Sequence, residues 1–266
     1  NEENSIEDII KRTLDAREHI ISSSDITEVE VIVVSDGSTD RTVELASKYL
    51  NDIHLIVLKK NHGYGAAIKK GWNEAKGDLL SFLDADGTCD PLFFTDLCNI
   101  ITNERADIAI GCRINKFSKM PLIRKLGNIS FSFLLSFISS QKVKDTASGM
   151  RVVKKSCLPK IMPLPDGLHF TPAMTTRAVL NKEIKIIEKD MSYNERAGTS
   201  KLKIFQDGIR FLNIILQLTF LFRPNILLSL FGFLSLFSCF ILMVSPAYYY
   251  QSCFLVLPIL RKKLSE

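Results

Sequence analysis

The chain has 266 residues, 46% hydrophobic and 24% charged, enough for one sizeable folded domain with an appendage. Its net charge of +5 is too small to argue for nucleic acid, and no basic patch interleaved with aromatics supports such a partner. The six cysteines (Cys89, Cys98, Cys112, Cys157, Cys239, Cys253) have no Cys-x-x-Cys spacing and no paired histidines, which argues against zinc and for free thiols in a reducing compartment.

The chain opens on Asn1-Glu2-Glu3-Asn4, with no Met and no signal peptide, and Ser5 has the character of an N-cap with Asp8 in the first turn. Ile6, Ile9, Ile10 and Leu14 predict a helix over 5–18, so early that a removed upstream segment is expected. Val29 to Val34 reads as a buried strand, Asp36 to Asp40 as a turn, and Asp40 as the cap of a helix over 41–50. Ile53 to Leu58 is the next strand, and the Gly-rich turn Asn61-His62-Gly63-Tyr64-Gly65 leads into a helix through Ala66, Ala67, Gly71 and Ala75. A strand over 78–84, a helix from Pro91 and a strand over 107–110 follow. This alternation predicts an α/β fold with a mainly parallel, doubly wound sheet and helices on both faces.

After Gly111 the rhythm changes. Pro121 to Ser139 is helical, and its end is apolar nearly all round, so it is buried or touches lipid. Strands are predicted over 150–153 and 184–187, with a helix near 172–181 between them, and a long apolar helix over 204–222. Ile226 to Val244 is an unbroken uncharged run that at 1.5 Å per residue covers about 28 Å, enough to span a hydrocarbon core. Ala247 to Leu260 is a second, shorter run, followed by Arg261-Lys262-Lys263. Basic residues on both outer flanks predict a hairpin with both ends in the cytoplasm. The expected organisation is a domain over 1–202, an interfacial helix over 203–223 and an anchor over 224–266.

The chemistry concentrates at Asp84-Ala85-Asp86, two carboxylates at a strand's carboxyl end, where open α/β sheets bind ligands. They suit Mg²⁺ or Mn²⁺, hard cations that share carboxylates with substrate phosphates, here the diphosphate of a sugar nucleotide. The alternative is a solvated acidic turn closed by Gly87. Asp36 ends another strand, where it could bind a nucleoside, and Gly63, Ala67 and Gly71 let their helix lie close to the sheet. Basic residues cluster at Arg113, Lys116, Lys119, Arg124 and Lys125, and at Lys142, Lys144, Arg151, Lys154 and Lys155, reading as a solvated face, an anionic membrane contact or a phosphate site. His19 and His54 read as surface residues, His62 as part of the Gly turn, and Trp72 as core or helix surface.

In order, Val33-Val34-Ser35-Asp36-Gly37-Ser38-Thr39-Asp40, Asn61-x-Gly63-x-x-x-Ala67-x-x-x-Gly71 and Asp84-x-Asp86 resemble the family-two glycosyltransferases, whose nucleotide-sugar domain has the GT-A fold. Asp145-Thr146-Ala147-Ser148-Gly149-Met150-Arg151, Gly167-Leu168-His169-Phe170 and Tyr193-x-x-Arg196-x-Gly198-x-Ser200-Lys201-Leu202 look like the polyprenyl-phosphate branch, with dolichyl-phosphate mannosyltransferase its best-known member. The resemblance covers roughly residues 1–224. It implies inverting transfer of a hexose from a nucleotide sugar, of the GDP-mannose or UDP-glucose type, to a polyprenyl or dolichyl phosphate at the cytoplasmic membrane face. It also implies catalytic roles for Asp84, Asp86, Arg196 and Lys201, with Asp84 and Asp86 on Mg²⁺ or Mn²⁺. Asp36, Gly63, Arg113, Arg124, Asp145, Ser148, Arg151 and Ser200 join them in binding; Arg suits bidentate phosphate contact. His169 lies in the Gly-Leu-His-Phe motif, near the acceptor or in the core.

Family members usually begin with a strand ending Pro-Ala-x-Asn-Glu, of which only Asn1-Glu2 is present, so a first strand is expected upstream. Ser35 stands where many relatives have Asp. Gly87-Thr88 follows Asp-x-Asp where the mannosyl enzymes have Leu-Gln, so the sugar does not carry over. No Arg-Trp occurs, unlike the Gln-x-x-Arg-Trp of processive synthases. Two other readings stand beside this one. A hydroxyl acceptor would need a base, for which Asp145 or Asp166 is available; a non-catalytic membrane scaffold would bind nucleotide only.

Overall fold

The computed structural model describes residues 1–139, 141–194 and 204–263. They divide into two compact units, Asn1–Leu218 and Thr219–Glu266. The first therefore reaches well into the helix that the sequence sets apart from the domain.

In the first unit, α1 (Ile6–Ser23) buries Ile6, Ile9, Ile10, Ala16 and Ile20, the stripe that apolar spacing predicts, one turn longer than expected. Ser5 makes no side-chain cap to this helix. Its hydroxyl donates to the Ala85 carbonyl at 2.6 Å, which pins the start of α1 to the loop between Asp84 and Asp86. Then come β1 (Ile32–Asp36), α2 (Thr42–Ser47) and β2 (His54–Leu58), with β1 and β2 parallel and Ile32 opposite His54. Asp40 accepts from Thr42 N and Oγ, holding the turn into α2 as its position predicts.

Next are α3 (Tyr64–Glu74), β3 (Leu79–Phe82), a 3₁₀ turn from Pro91 into α4 (Phe94–Asn103), and the fully buried β4 (Ile108–Cys112). After α5 (Leu122–Ile138) the chain returns as β5 (Arg151–Lys154), then α6 (Leu158–Ile161), α7 (Phe170–Leu180) and β6 (Ile186–Asp190). The last helix of this series is α8 (Ile204–Phe222).

The sheet is mixed rather than mainly parallel. β5 lies between β3 and β4 and runs antiparallel to both, while β4 and β6 are parallel. An α/β alternation predicts parallel neighbours because each crossover helix returns the chain to the same edge. The excursion from Arg113 through α5 to Met150 is long enough to re-enter from the opposite end, and hydrophobic periodicity carries no sign of direction.

The strands also fall into two groups, β1–β2 and β3–β5–β4–β6. Between β1 and β3 lies a slot held at both ends. At one end Glu30 accepts from Lys76 N and Gly77 N; at the other Asp36 accepts from His62 N and Gly63 N, while the next residue, Tyr64, donates to Asp84. Helices α1 and α3 line it, with Ile9, Ile10, Ile68 and Trp72 among the side chains. The Trp72 indole donates to the Ser81 carbonyl of β3 at 3.1 Å.

In the second unit, α9 (Pro224–Lys263) is a single helix, not the expected hairpin. Its stretch Pro224–Val244, none of it buried, is the one described segment long and apolar enough to cross a membrane. The helix runs on through Pro246 between the two apolar runs, because an apolar helix can carry a proline with one lost backbone donor.

Candidate active site

The carboxyl ends of β1 and β3 open into one cavity of about 1690 Å³, which continues into the slot between them. Asp84 and Asp86 stand at its wall on the loop leaving β3. The Tyr64 hydroxyl, on the first turn of α3, donates to Asp84 Oδ1 at 2.8 Å. Burial, and then the Asp84 charge, raise the Tyr64 phenol well above its ordinary pKa, so it stays a donor. Asp84 Oδ2 faces Gly149, where a Cβ would sit 2.6 Å from it. Only glycine leaves room there for the carboxylate. Asp86 is buried, and its Oδ1 accepts from Thr88 N at 3.1 Å and Thr88 Oγ at 2.6 Å. Ser5 holds the carbonyl between the two acids. The loop is thus a built feature rather than a solvated turn. Its donors are carboxylate oxygens, the set that suits Mg²⁺ or Mn²⁺; among the described residues no group of three His, Cys, Asp or Glu is placed to hold a metal ion, so the two carboxylates stand as a pair.

Asp36 lies on the same wall, but both its oxygens already accept backbone donors, His62 N at 2.8 Å and Gly63 N at 2.7 Å. It holds the Gly-rich turn in place, and only its remaining lone pairs face a ligand. Gly63 has φ +109°, and a Cβ there would meet the Asp166 carbonyl at 2.5 Å, so this turn needs glycine. Behind it, Tyr64, Trp72, Phe82 and Phe170 pack with centroids 5.7 to 6.4 Å apart, edge-on except for the tilted Trp72–Phe82 pair, and form a floor for the site.

The arginines separate into three kinds. Arg113 lines the cavity with its guanidinium forked onto Asp145 (Nε to Oδ2 2.7 Å, Nη2 to Oδ1 2.9 Å) and placed 5.3 Å over the Tyr193 ring. Burial acts against both charges, but each holds the other ionised: the Arg113 pKa is raised and that of Asp145 lowered. Asn128 on α5 also donates to Asp145, at 2.6 Å. Arg151 is fully buried, bonded to the Ser148 and Thr146 carbonyls and the Thr175 hydroxyl. Burial lowers its pKa to about 10, and it ties β5 to α7 out of reach of a ligand. Arg124, in the first turn of α5, lines the cavity, and its Nε is buried with no hydrogen-bond partner among the described residues.

The structure therefore brings Asp36, Gly63, Asp84, Asp86, Arg113 and Arg124 to one cavity. Asp145, Ser148 and Arg151 stand behind its wall as supports: the Ser148 hydroxyl donates to the Gly111 carbonyl, and all three are fully buried. The expected phosphate contact of Arg151 is corrected on that ground. Arg196, Ser200 and Lys201 lie outside the described residues. The preceding segment does reach the site, with Asn194 N donating to the Thr88 carbonyl. Sequence reasoning passed over Tyr64 and Asn128. Tyr64 was signalled only by its place at the helix start after Gly63, and nothing local marks Asn128, since its partners are 17 and 18 residues away.

The chain is 31% identical over 212 residues to the low-salt glycan biosynthesis hexosyltransferase Agl6 of Haloferax volcanii, an alignment covering 77% of this chain and 50% of that protein, so the chain spans about half of that relative's length. It is 27% identical over 240 residues to the dolichyl-phosphate β-glucosyltransferase ALG5C of Trichomonas vaginalis, covering 85% and 70%. Its fold is that of glucosyl-3-phosphoglycerate synthase from Mycobacterium tuberculosis, crystallised with Mn²⁺, uridine diphosphate and glucosyl-3-phosphoglycerate (TM-score 0.61, 19% identity, covering 82% and 76%), which makes the architecture GT-A-like. The model of glycosyl transferase family 2 matches residues 1–162, the stretch that carries Asp36, the Gly63 turn, the Asp84–Asp86 loop and the Asp145 support, and the chain belongs to that family.

Proposed function

We propose that this glycosyltransferase moves a hexose from a nucleotide sugar to a polyprenyl or dolichyl phosphate at the cytoplasmic face of a membrane, inverting the anomeric centre. The donor is of the GDP-mannose or UDP-glucose type. The observation that carries the reading is the meeting, in one cavity, of the Asp84–Asp86 pair with the buried Nε of Arg124, which has no hydrogen-bond partner among the described residues, since an orphaned buried donor is costly unless an anion completes it. The relatives named for dolichyl-phosphate transfer support the acceptor.

Asp84 and Asp86 would hold Mg²⁺ or Mn²⁺, whose charge stabilises the departing diphosphate. The chain's own part is alignment. Tyr64 and Gly149 position the Asp84 carboxylate, and the aromatic floor keeps that wall rigid. A phosphate oxygen of the acceptor attacks the anomeric carbon as the bond to the nucleoside diphosphate breaks, its electron pair leaving with the diphosphate. The acceptor is already an anion, so no base is required. This accords with the state of Asp145, which is buried, ion-paired and low in pKa, and so unsuited to take a proton from a hydroxyl. Asp166, the other candidate base, is paired with Lys69 at 2.6 Å. By resemblance, Arg196, Ser200 and Lys201 receive the acceptor phosphate.

The test is the full chain with a panel of nucleotide sugars and a short polyprenyl phosphate, read by mass spectrometry of the lipid. A polyprenyl-phosphate hexose is expected. Turnover to a glycoside of a hydroxyl acceptor, or nucleotide-sugar binding with no turnover at all, would replace this reading.

A further inference from the structure

The segment from Asp145 to Gly149 meets the cavity's machinery at both ends. At its start Asp145 holds Arg113, accepting from its Nε, Nη2 and backbone N. At its end Gly149 leaves the room that the Asp84 carboxylate fills. Asn128 on α5 grips the segment from one side, through Asp145 and Thr146. The other grip comes from Glu188, a half-buried residue of β6.

The Glu188 carboxylate spans two successive backbone donors. Its Oε2 accepts from Lys144 N at 2.7 Å and its Oε1 from Asp145 N at 2.8 Å. The sheet places it there, since Glu188 lies opposite Ile110 in the parallel β4–β6 pair and β4 leads directly to Arg113. Each N–H has its own acceptor, and the negative charge strengthens both bonds. A neutral carboxyl or an amide in the same place keeps one good acceptor and turns a donor toward the other N–H.

We infer that Glu188 is a positioning residue for sugar transfer: its ionised carboxylate fixes the start of the 145–149 segment, and through that segment it sets Arg113 and Asp84 in the cavity. The grip on the two amides is a property of the fold; its consequence for transfer rests on the function proposed above.

Of the two neighbouring carboxylates, Glu188 protonates first as pH falls. Burial raises its pKa above the ordinary value; Asp145 acts in the same direction, the two amides and Arg151 against it. Asp145, against its own burial, is held low by Arg113. Around Glu188 also stand Arg151 of β5, whose pKa burial lowers to about 10, and the Cys112 thiol of β4, which burial pushes up to about 12. The Lys144 side chain and Asp190 are exposed, and Lys189 pairs with Asp96 of α4 at 2.8 Å. A carboxyl whose pKa folding raises costs stability while ionised, and that cost is relieved as pH falls through the raised value. Protonation of Glu188 therefore releases the grip without unfolding the domain on this group's account.

The test compares the full chain in detergent with E188Q. At about pH 7.5 E188Q should lower kcat about tenfold, the effect of one charge-assisted hydrogen bond, while the KM for nucleotide sugar changes less than about threefold and Tm by less than about 4 °C. The ratio of kcat/KM between wild type and E188Q cancels the ionisation of the lipid phosphate, whose second pKa is about 6. That ratio should fall toward one between about pH 7.5 and about pH 4.5, because the wild type then carries a neutral side chain as well. A level ratio overturns the role of Glu188, since a merely structural substitution acts alike at every pH. Amide exchange reads the grip without catalysis. Corrected for the intrinsic rate at each pH, protection of the Lys144 and Asp145 amides should fall about fivefold or more in E188Q, and likewise in wild type over the same pH range. Unchanged protection in wild type overturns the grip, even where E188Q fails to fold. Protection that follows Glu188 in a chain that transfers no sugar removes the proposed function and leaves the grip; transfer with a level ratio removes the role of Glu188 alone.

Discussion

Asp84 and Asp86 reach the cavity on one short loop, yet their surroundings differ. Asp84 is set by Tyr64 from α3 and by the missing side chain of Gly149; Asp86 is held by Thr88 within its own loop. D84N and D86N are each expected to lower transfer by about a hundredfold or more and to weaken Mn²⁺-dependent nucleotide-sugar binding, as loss of a group that balances developing charge does. Wild-type turnover in excess chelator would remove the metal from the mechanism. R124A should lower kcat/KM by about tenfold or more, the worth of a charge-assisted hydrogen bond. R196A and K201A should act chiefly on the KM for lipid phosphate or on kcat; a loss confined to nucleotide-sugar affinity would move both to the donor site. The Arg113–Asp145 pair behaves differently, because it supports rather than touches the substrates. D145N leaves a largely buried guanidinium without its counter-charge and should destabilise the domain by about 3 kcal/mol, read as a fall in Tm. The fold holds the Asp145 carboxyl below its unfolded pKa, against its burial, chiefly through Arg113. Its stabilisation is therefore complete above the ordinary carboxylate range and is lost as pH falls through the lowered value. The Tm difference between wild type and D145N should shrink in acid and persist at neutral pH.

Among the elements, β1, β2, β3 and β6 each pair on one side only, and of these β1 and β3 border the slot. β1 pairs with β2 and β3 with β5, and the slot between them is walled by apolar side chains of α1 and α3. Asn1 sits at the slot's upper end, bonded to Thr39 just beyond β1. A strand entering from upstream would run along β1 and β3 and end there, with both faces covered, which calls for a continuous β-branched apolar run. Extending the chain by about seven such residues ahead of Asn1 should raise Tm by several degrees and shift the emission of Trp72. The same extension with a central proline should do neither. Equal melting of the two extended chains would show that the slot is not a strand's place. The Trp72–Ser81 hydrogen bond gives this test its probe, because the indole caps a carbonyl of the strand that would be paired.

For the whole molecule, the question is where the two units act. α9 offers one span, Pro224–Val244, and the first unit offers an apolar face of its own. Deleting residues 225–266 should lower transfer to a long-chain lipid in membranes by about tenfold, through lost local concentration, and change transfer to a short soluble analogue by less than about threefold. Equal losses toward both acceptors would mean that the segment serves the fold or the chemistry rather than the placing of the enzyme.

The motifs that carry the site were legible in the chain because each is local. Asp84-x-Asp86 at the end of an apolar run, the Gly63 turn before a small-faced helix, and the uncharged run from Ile226 all follow from spacing along one element. The helices were legible for the same reason, and α5 and α8 lie where their apolar stripes placed them. Tertiary structure alone decided which charges are free. Arg113, Arg124 and Arg151 look alike in sequence, and only packing assigns them to an ion pair, a cavity-lining donor with no partner among the described residues, and a buried tie between β5 and α7. It alone decided that β5 runs antiparallel between β3 and β4 and that α9 continues through Pro246. Side-chain periodicity records which face of an element is apolar. The direction in which a chain re-enters a sheet, and the partner a charge meets across tens of residues, are settled by contacts that no local spacing encodes.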